Sequence, residues 1–275
     1  MDRSAGSSPE PAALLALAVD TARAAADLVA RGRASAWESV HVKSSPVDVV
    51  TQVDTACEEL VVRRLLDARP DDGILGEEGG TRPGTSGVRW IVDPIDGTVN
   101  FLYGLPAYAV SIAAEVRGRI EAGVVVNAAT GEVFTATAGG GARLRSPARP
   151  EPELLSGSRP ASLDQALVAT GFGYRVEQRR AQGAVVAELL TRVRDIRRNG
   201  SAALDLCSAA AGRVDAYYEL HLNAWDHAAG ALVAAEAGLV VTGLPGRPFG
   251  EPMAIVAASS IAEDLVGLLA ALHPG

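Results

Sequence analysis

The chain has 275 residues, enough for one large core or for two subdomains sharing an interface. Hydrophobic residues at 48% and charged residues at 21% describe an ordinary soluble globular protein. A net charge of −8 argues against nucleic acid or an anionic membrane as the main partner, unless bound metal inverts the local field.

Residues 1 to about 10 are rich in Ser, Gly and Pro and are expected to be disordered. A helix is predicted from about Ala12 to Arg31, with Leu14, Leu17, Ala18 and Leu28 on one face. Asp20, Arg23 and Asp27 interrupt its apolar run, which a secretory signal or membrane span would avoid. A cytoplasmic protein is therefore expected. Val53, Cys57, Leu60, Val61 and Leu65 predict a second helix near Gln52 to Ala68. Cys57 and Cys207 lie in apolar, helix-like stretches and read as small buried hydrophobes. "DGILGEEGG" reads as a short strand ending in an acidic loop. "YAVSIAAEVRGRIEAGVVVNAATGEVFTATAGGGARL" reads as an antiparallel meander turning at Arg117-Gly118 and Thr130-Gly131. "RLRSPARPEPELLSGSRP" reads as a polar, Pro-rich connection between halves. Beyond it, strand-like and helical stretches alternate, and Ser260 and Glu263 have the spacing of a capping box before the last helix. The expectation is one compact unit, with an α+β half over 11–145 and an α/β half over 146–275.

Four acidic segments stand out: Asp48 and Asp54 in "SSPVDVVTQVDTACE", Glu77 and Glu78 in "GEEGG", Asp93 and Asp96 in "DPIDGT", and Asp226 in "NAWDHAAG". Singly each is weak. An Asp before a helix is most often an N-cap, and paired Glu in a Gly-rich loop is usually solvated. Each segment, however, sits where a strand or apolar helix ends, so the carboxylates can converge at one sheet edge. Pro94 fixes φ and bends the chain so that Asp93 and Asp96 face one point, with the Ile95 carbonyl between them. An all-oxygen donor set without a His/Cys cluster suits Mg²⁺ or Mn²⁺. Gly97-Thr98, at a predicted helix start, offers main-chain N–H groups to a phosphate. Metals beside a phosphate seat imply phosphoryl chemistry.

These motifs, with "KSSPVDVVTQVD", "WDHAAGALVAAEAG", "GSAALDLC" and "DAYYEL" in matching order, closely resemble the inositol monophosphatase family, in its bacterial SuhB-like branch. The resemblance runs from about Lys43 to Glu236. It implies a layered αβαβα sandwich, of the type shared with fructose-1,6-bisphosphatase, and a lithium-sensitive, Mg²⁺-dependent phosphomonoesterase. By position, Glu77, Asp93 and the Ile95 carbonyl would hold one ion, and Asp93, Asp96 and Asp226 a second. A third, weaker ion would lean on Glu77. Asp54 and Thr98 would orient and help deprotonate the attacking water. Asp96, Gly97, Thr98, Gly200, Ser201, Ala202, Glu219 and Asp226 would meet the substrate. Asp54, Glu77, Glu78, Asp93, Asp96 and Asp226 would carry about six negative charges, which three divalent ions would balance.

The resemblance also implies a homodimer acting on a small phosphorylated polyol, and the net charge leads to the expectation of no nucleic acid or membrane partner. Arg197 and Arg198 read as a solvated basic edge, and His221 and His227 as neighbours of the site rather than general acids. Asn223 stands where some family members carry His, and "GGTRPGTSGVRW" is short, which leaves the substrate open. Histidinol phosphate, fructose 1,6-bisphosphate and nucleotide 3′-phosphates are alternative substrates. A regulatory or scaffold protein on the same fold is the alternative of a different class.

Overall fold

The computed structural model describes residues 10–34, 40–43 and 49–273; the segment expected to be disordered before residue 10, and Asp48, lie outside the described residues. Helix α1 (Pro11–Gly32) buries Leu14, Ala18, Ala22, Ala25 and Val29, the stripe that a period of 3.6 residues brings to one face. A two-stranded antiparallel pair follows, β1 (Val40–Val42) with β2 (Val49–Thr51). Helix α2 (Gln52–Ala68) opens on a capping box. The Thr51 hydroxyl accepts from the Asp54 N–H at 3.4 Å and also from the Val53 N–H at 3.1 Å, and the Asp54 carboxylate accepts the Thr51 N–H at 2.9 Å. The helix stops before Pro70, with the Arg69 N–H closing on the Leu65 carbonyl.

Eight strands form the first sheet: β3 (Gly73–Gly76), β4 (Gly80–Arg82), β5 (Val88–Asp96), β6 (Ala109–Val116), β7 (Arg119–Asn127), β8 (Val133–Thr137), β9 (Gly141–Ser146) and β10 (Arg149–Leu154). Their order is β10-β9-β8-β7-β6-β5-β3-β4, and β5 to β10 run as an antiparallel meander. The second sheet orders β12 (Asp195–Arg197), β11 (Leu167–Thr170), β13 (Ala216–Leu220), β15 (Met253–Ala257) and β14 (Val240–Thr242). Helices α1 and α2 cover the outer face of the first sheet. Helices α5 (Ala202–Ala210) and α6 (Ala224–Glu236) fill the space between the sheets. Helices α4 (Val176–Leu189) and α7 (Ala262–Leu272) pack outside the second sheet. The layers are thus αβαβα, and central strands such as β6 and β15 bury both faces.

Three local readings change. Arg149–Leu154 is a strand rather than a plain connection; it pairs only with β9, and an edge is where a strand tolerates Pro150 and Pro152. The Asp-Pro-Ile-Asp run stays within β5, and the bend comes from a register shift against β6 between Asp93 and Asp96. Ser260 does not cap α7: Ile261 is the N-cap, and the Ser260 hydroxyl donates to the Pro160 carbonyl at 2.7 Å.

One buried carboxylate ties the rim of this sheet together. Asp72 is 1% exposed and accepts from the Trp90 indole N–H at 2.9 Å, the Ser86 hydroxyl at 2.6 Å and the Arg69 guanidinium at 2.5 Å. Removing the acceptor strands a buried indole N–H and a half-buried cation. Asp72→Ala should cost about 3 kcal/mol of folding stability, read as a lower urea midpoint at unchanged m.

Candidate active site

The candidate residues meet where β5 ends, beneath the first turns of α2, α5 and α6. A cavity of about 770 Å³ opens there, lined on one side by Glu77, Asp96, Gly97, Thr98 and Asp226. Gly200, Ser201, Ala202 and Glu219 also line it. Asp54, Asp93 and Ile95, each 1% exposed, lie beneath that lining.

Parity along β5 sets the arrangement. Trp90 and Val92 point into the core under α1 and α2, and Ile91 into the core around α5 and α6. Asp93 shares the parity of Ile91 and pairs in register with Ser111, whose hydroxyl lies 3.5 Å from the Trp225 carbonyl in α6. Asp93 Oδ1 is buried with no hydrogen-bond partner. Burial, with Glu77, Asp96 and Asp226 close by, pushes the Asp93 carboxyl well above its ordinary value. Asp226 is raised in the same way, by burial first and then by Asp96. Asp96 rises to about 6 through burial, held back by donors from α5: the Ser201 hydroxyl at 2.5 Å and the Ala203 N–H at 2.7 Å.

Asp226 also serves as a helix cap, its carboxylate accepting the Asn223 N–H at 2.6 Å at the start of α6. Among the described residues, no three His, Cys, Asp or Glu side chains are drawn to the spacing that grips an ion. Bare carboxylates repel one another, and Glu77 is turned onto Lys43 Nζ at 2.9 Å, with Glu78 on the same ammonium. Lys43 is the only lysine in the chain.

The Thr98 hydroxyl lies 3.2 Å from Asp54 Oδ1 and 3.0 Å from the Ile95 carbonyl, so it bridges the two. Burial raises Asp54 to about 6 despite the hydrogen bonds from Thr51. Gly97 has φ +91°, and a Cβ there would stand 2.8 Å from the Ala107 carbonyl and 3.0 Å from that of Gly200. Thr98 opens the short helix α3 (Thr98–Tyr103). Glu219 accepts the Tyr217 hydroxyl at 2.6 Å, and burial lifts its carboxyl to about 7. It folds across Gly171, where a Cβ would fall 1.8 Å from Oε2.

Several cavity residues were not legible as site residues. Phe172 and Arg198 line the wall around Glu219, the guanidinium 5.9 Å from the ring centroid. Arg198 is therefore a cavity residue, whereas Arg197 pairs with Asp195 at 2.6 Å on the exposed edge. His221 lines the cavity with φ +62°. His227 packs edge-on against Phe249 at 5.1 Å, and burial lowers its pKa to about 4, leaving it neutral at pH 7. Cys57 and Cys207 are free and buried, Cys57 donating to the Pro94 carbonyl at 3.3 Å.

The family model described as "Inositol monophosphatase family" matches residues 10–273. The chain is 46% identical over 275 residues to the inositol-1-monophosphatase SuhB of Mycobacterium tuberculosis, with 94% of each chain covered. It is 40% identical over 235 residues to the Nus factor SuhB of Escherichia coli, covering 85% of this chain and 86% of the other. The solved structure of Mycobacterium tuberculosis SuhB superposes with a TM-score of 0.83 at 44% identity, covering 96% of this chain and 98% of that one. No helix among the described residues is long and apolar enough to cross a membrane. The chain belongs to the inositol monophosphatase family and is a phosphoric monoester hydrolase.

Proposed function

We propose that the protein hydrolyses inositol monophosphate and related polyol or sugar phosphates with Mg²⁺, for which Mn²⁺ substitutes. The observation that carries this reading is the partnerless buried Asp93 Oδ1 amid Glu77, Asp96 and Asp226, an all-oxygen set suited to a hard cation. Glu77, Asp93, Asp96, Asp226 and the Ile95 carbonyl would hold two to three ions. Such ions, when bound, polarise the ester and acidify water. Asp54, through Thr98, orients the attacking water and draws on its proton; the Asp54 pKa near 6 leaves it ionised at neutral pH. The main chain of Gly97-Thr98 seats the phosphate. Gly200, Ser201, Ala202 and Glu219 receive the alcohol.

A cytoplasmic, lithium-sensitive homodimer completes the proposal. The test is phosphate release from inositol 1-phosphate, histidinol phosphate, fructose 1,6-bisphosphate and a 3′-phosphonucleotide, with and without Mg²⁺. Release from the inositol ester that vanishes in EDTA supports the reading; no release from any ester overturns it. Glu219→Ala should change relative kcat/KM across the panel by about tenfold, with the Mg²⁺ concentration for half-activity unchanged. Equal relative rates would remove Glu219 from the substrate contacts.

The 40%-identical relative that is called a Nus factor favours a second reading, a regulatory role on the same fold. Full complementation of a strain lacking its own homologue by a catalytically dead variant would support that role.

A further inference from the structure

The acidic loop after β3 takes its shape from a residue outside the candidate site. Glu58 follows Asp54 by one turn of α2 and is 4% exposed. One of its carboxylate oxygens accepts the Glu78 N–H at 2.9 Å, and the other accepts the Gly79 N–H. The fit leaves no spare room. A Cβ at Gly76 would stand 2.7 Å from Cδ and both oxygens of Glu58, and one at Gly79 would stand 2.5 Å from Oε1. Two glycines of "LGEEGG" are thus required by a carboxylate 18 and 21 residues earlier in the chain. Two adjacent main-chain N–H groups held by the two oxygens of one buried carboxyl group fix the loop at two points, so Glu58 clamps the main chain next to Glu77.

Resting on the reading above, in which Glu77 is a cation ligand, we propose that Glu58 is a positioning residue for divalent-cation binding. By fixing the main chain at Glu78 and Gly79, Glu58 aims Glu77 toward Asp93. The same helix delivers Asp54 to Thr98, so α2 sets both the ligand loop and the water-orienting pair. Gln in place of Glu58 offers one acceptor oxygen, and its amide would turn N–H donors onto a second N–H donor. The clamp then loosens while the volume is kept.

The experiment is a titration of Mn²⁺ into wild-type, Glu58→Gln, Glu59→Gln and Gly79→Ala protein, following the electron paramagnetic resonance signal of free ion. Glu58→Gln should weaken binding roughly tenfold, the loss typical when a ligand's hydrogen-bonded support is removed. Gly79→Ala, acting on the same contact from the loop side, should weaken it in the same sense. Glu59→Gln, on the exposed neighbour, should bind like wild type. In turnover, raising Mg²⁺ should restore kcat to Glu58→Gln, which a general loss of fold would not allow. If Glu58→Gln does not fold, as judged by circular dichroism, Gly79→Ala decides. Affinities equal to wild type in the folded variants overturn the assignment of Glu58 alone. Wild-type protein that binds no Mn²⁺ overturns the cation reading of the whole site, and this inference with it.

Discussion

Purified Asp93→Asn protein is expected to lose about 100-fold or more of its Mg²⁺-stimulated phosphate release. Its melting temperature in EDTA should rise. Both effects follow from one position. Asp93 is 1% exposed, its Oδ1 meets no donor, and burial with Glu77, Asp96 and Asp226 drives its carboxyl far above the ordinary range. A charge so placed opposes folding unless a cation offsets it, so the isosteric amide relieves the metal-free fold. Each kcal/mol gained is worth about 2–4 °C in a chain of this size. Turnover falls because the amide carries no charge to bind the cation with. Phosphate release and differential scanning calorimetry read the two effects. Wild-type turnover, or a lower melting temperature in EDTA, would contradict this role for Asp93.

In EDTA the wild-type protein should be markedly less stable at pH 8 than at pH 5. Burial raises Asp205 from 3.8, and Glu219 from 4.5, to about 7 in each case. Between the unfolded and folded values the native state keeps protons that the unfolded chain has released. Stability from these groups is therefore full below pH 4 and is lost as pH rises through 7. At 1.36 kcal/mol per pKa unit, Asp205 accounts for about 4 kcal/mol and Glu219 for about 3 kcal/mol. Asp205→Asn should flatten the trend and lose little packing, because its amide oxygen can still accept from Asn199 Nδ2, now 2.5 Å from the carboxylate. Urea unfolding at the two pH values measures this. Greater stability at pH 8 in EDTA, or an unchanged slope in Asp205→Asn, would contradict it.

Period and punctuation made much of the fold readable. Helix α2 occupies Gln52–Ala68 because Thr51 and Pro70 bracket an apolar repeat, and the meander turns where Arg117-Gly118 and Thr130-Gly131 supply positive φ at Arg117, Gly118 and Gly131. Membership of the family was equally readable, since six short motifs keep their order and spacing. What escaped depends on contacts between distant residues. Glu58 and Asp72 carry no local signal, because their partners are main-chain N–H, hydroxyl and indole N–H groups 14 to 21 residues further on. Arg198, just past the end of β12, looked like its neighbour Arg197, and only the fold sets it over Phe172 in the cavity wall while Arg197 pairs with Asp195. Edge position, which admits two prolines to β10, is a property of the whole sheet and of no local pattern.

The most direct measurement is an anomalous difference map from crystals of the wild-type protein soaked in Mn²⁺. The account predicts at least one peak within coordination distance of carboxylate oxygens from both Asp93 and Asp226, with Glu77 or Asp96 completing the contact. Peaks confined to the molecular surface, or none in that cluster at saturating Mn²⁺, would contradict it.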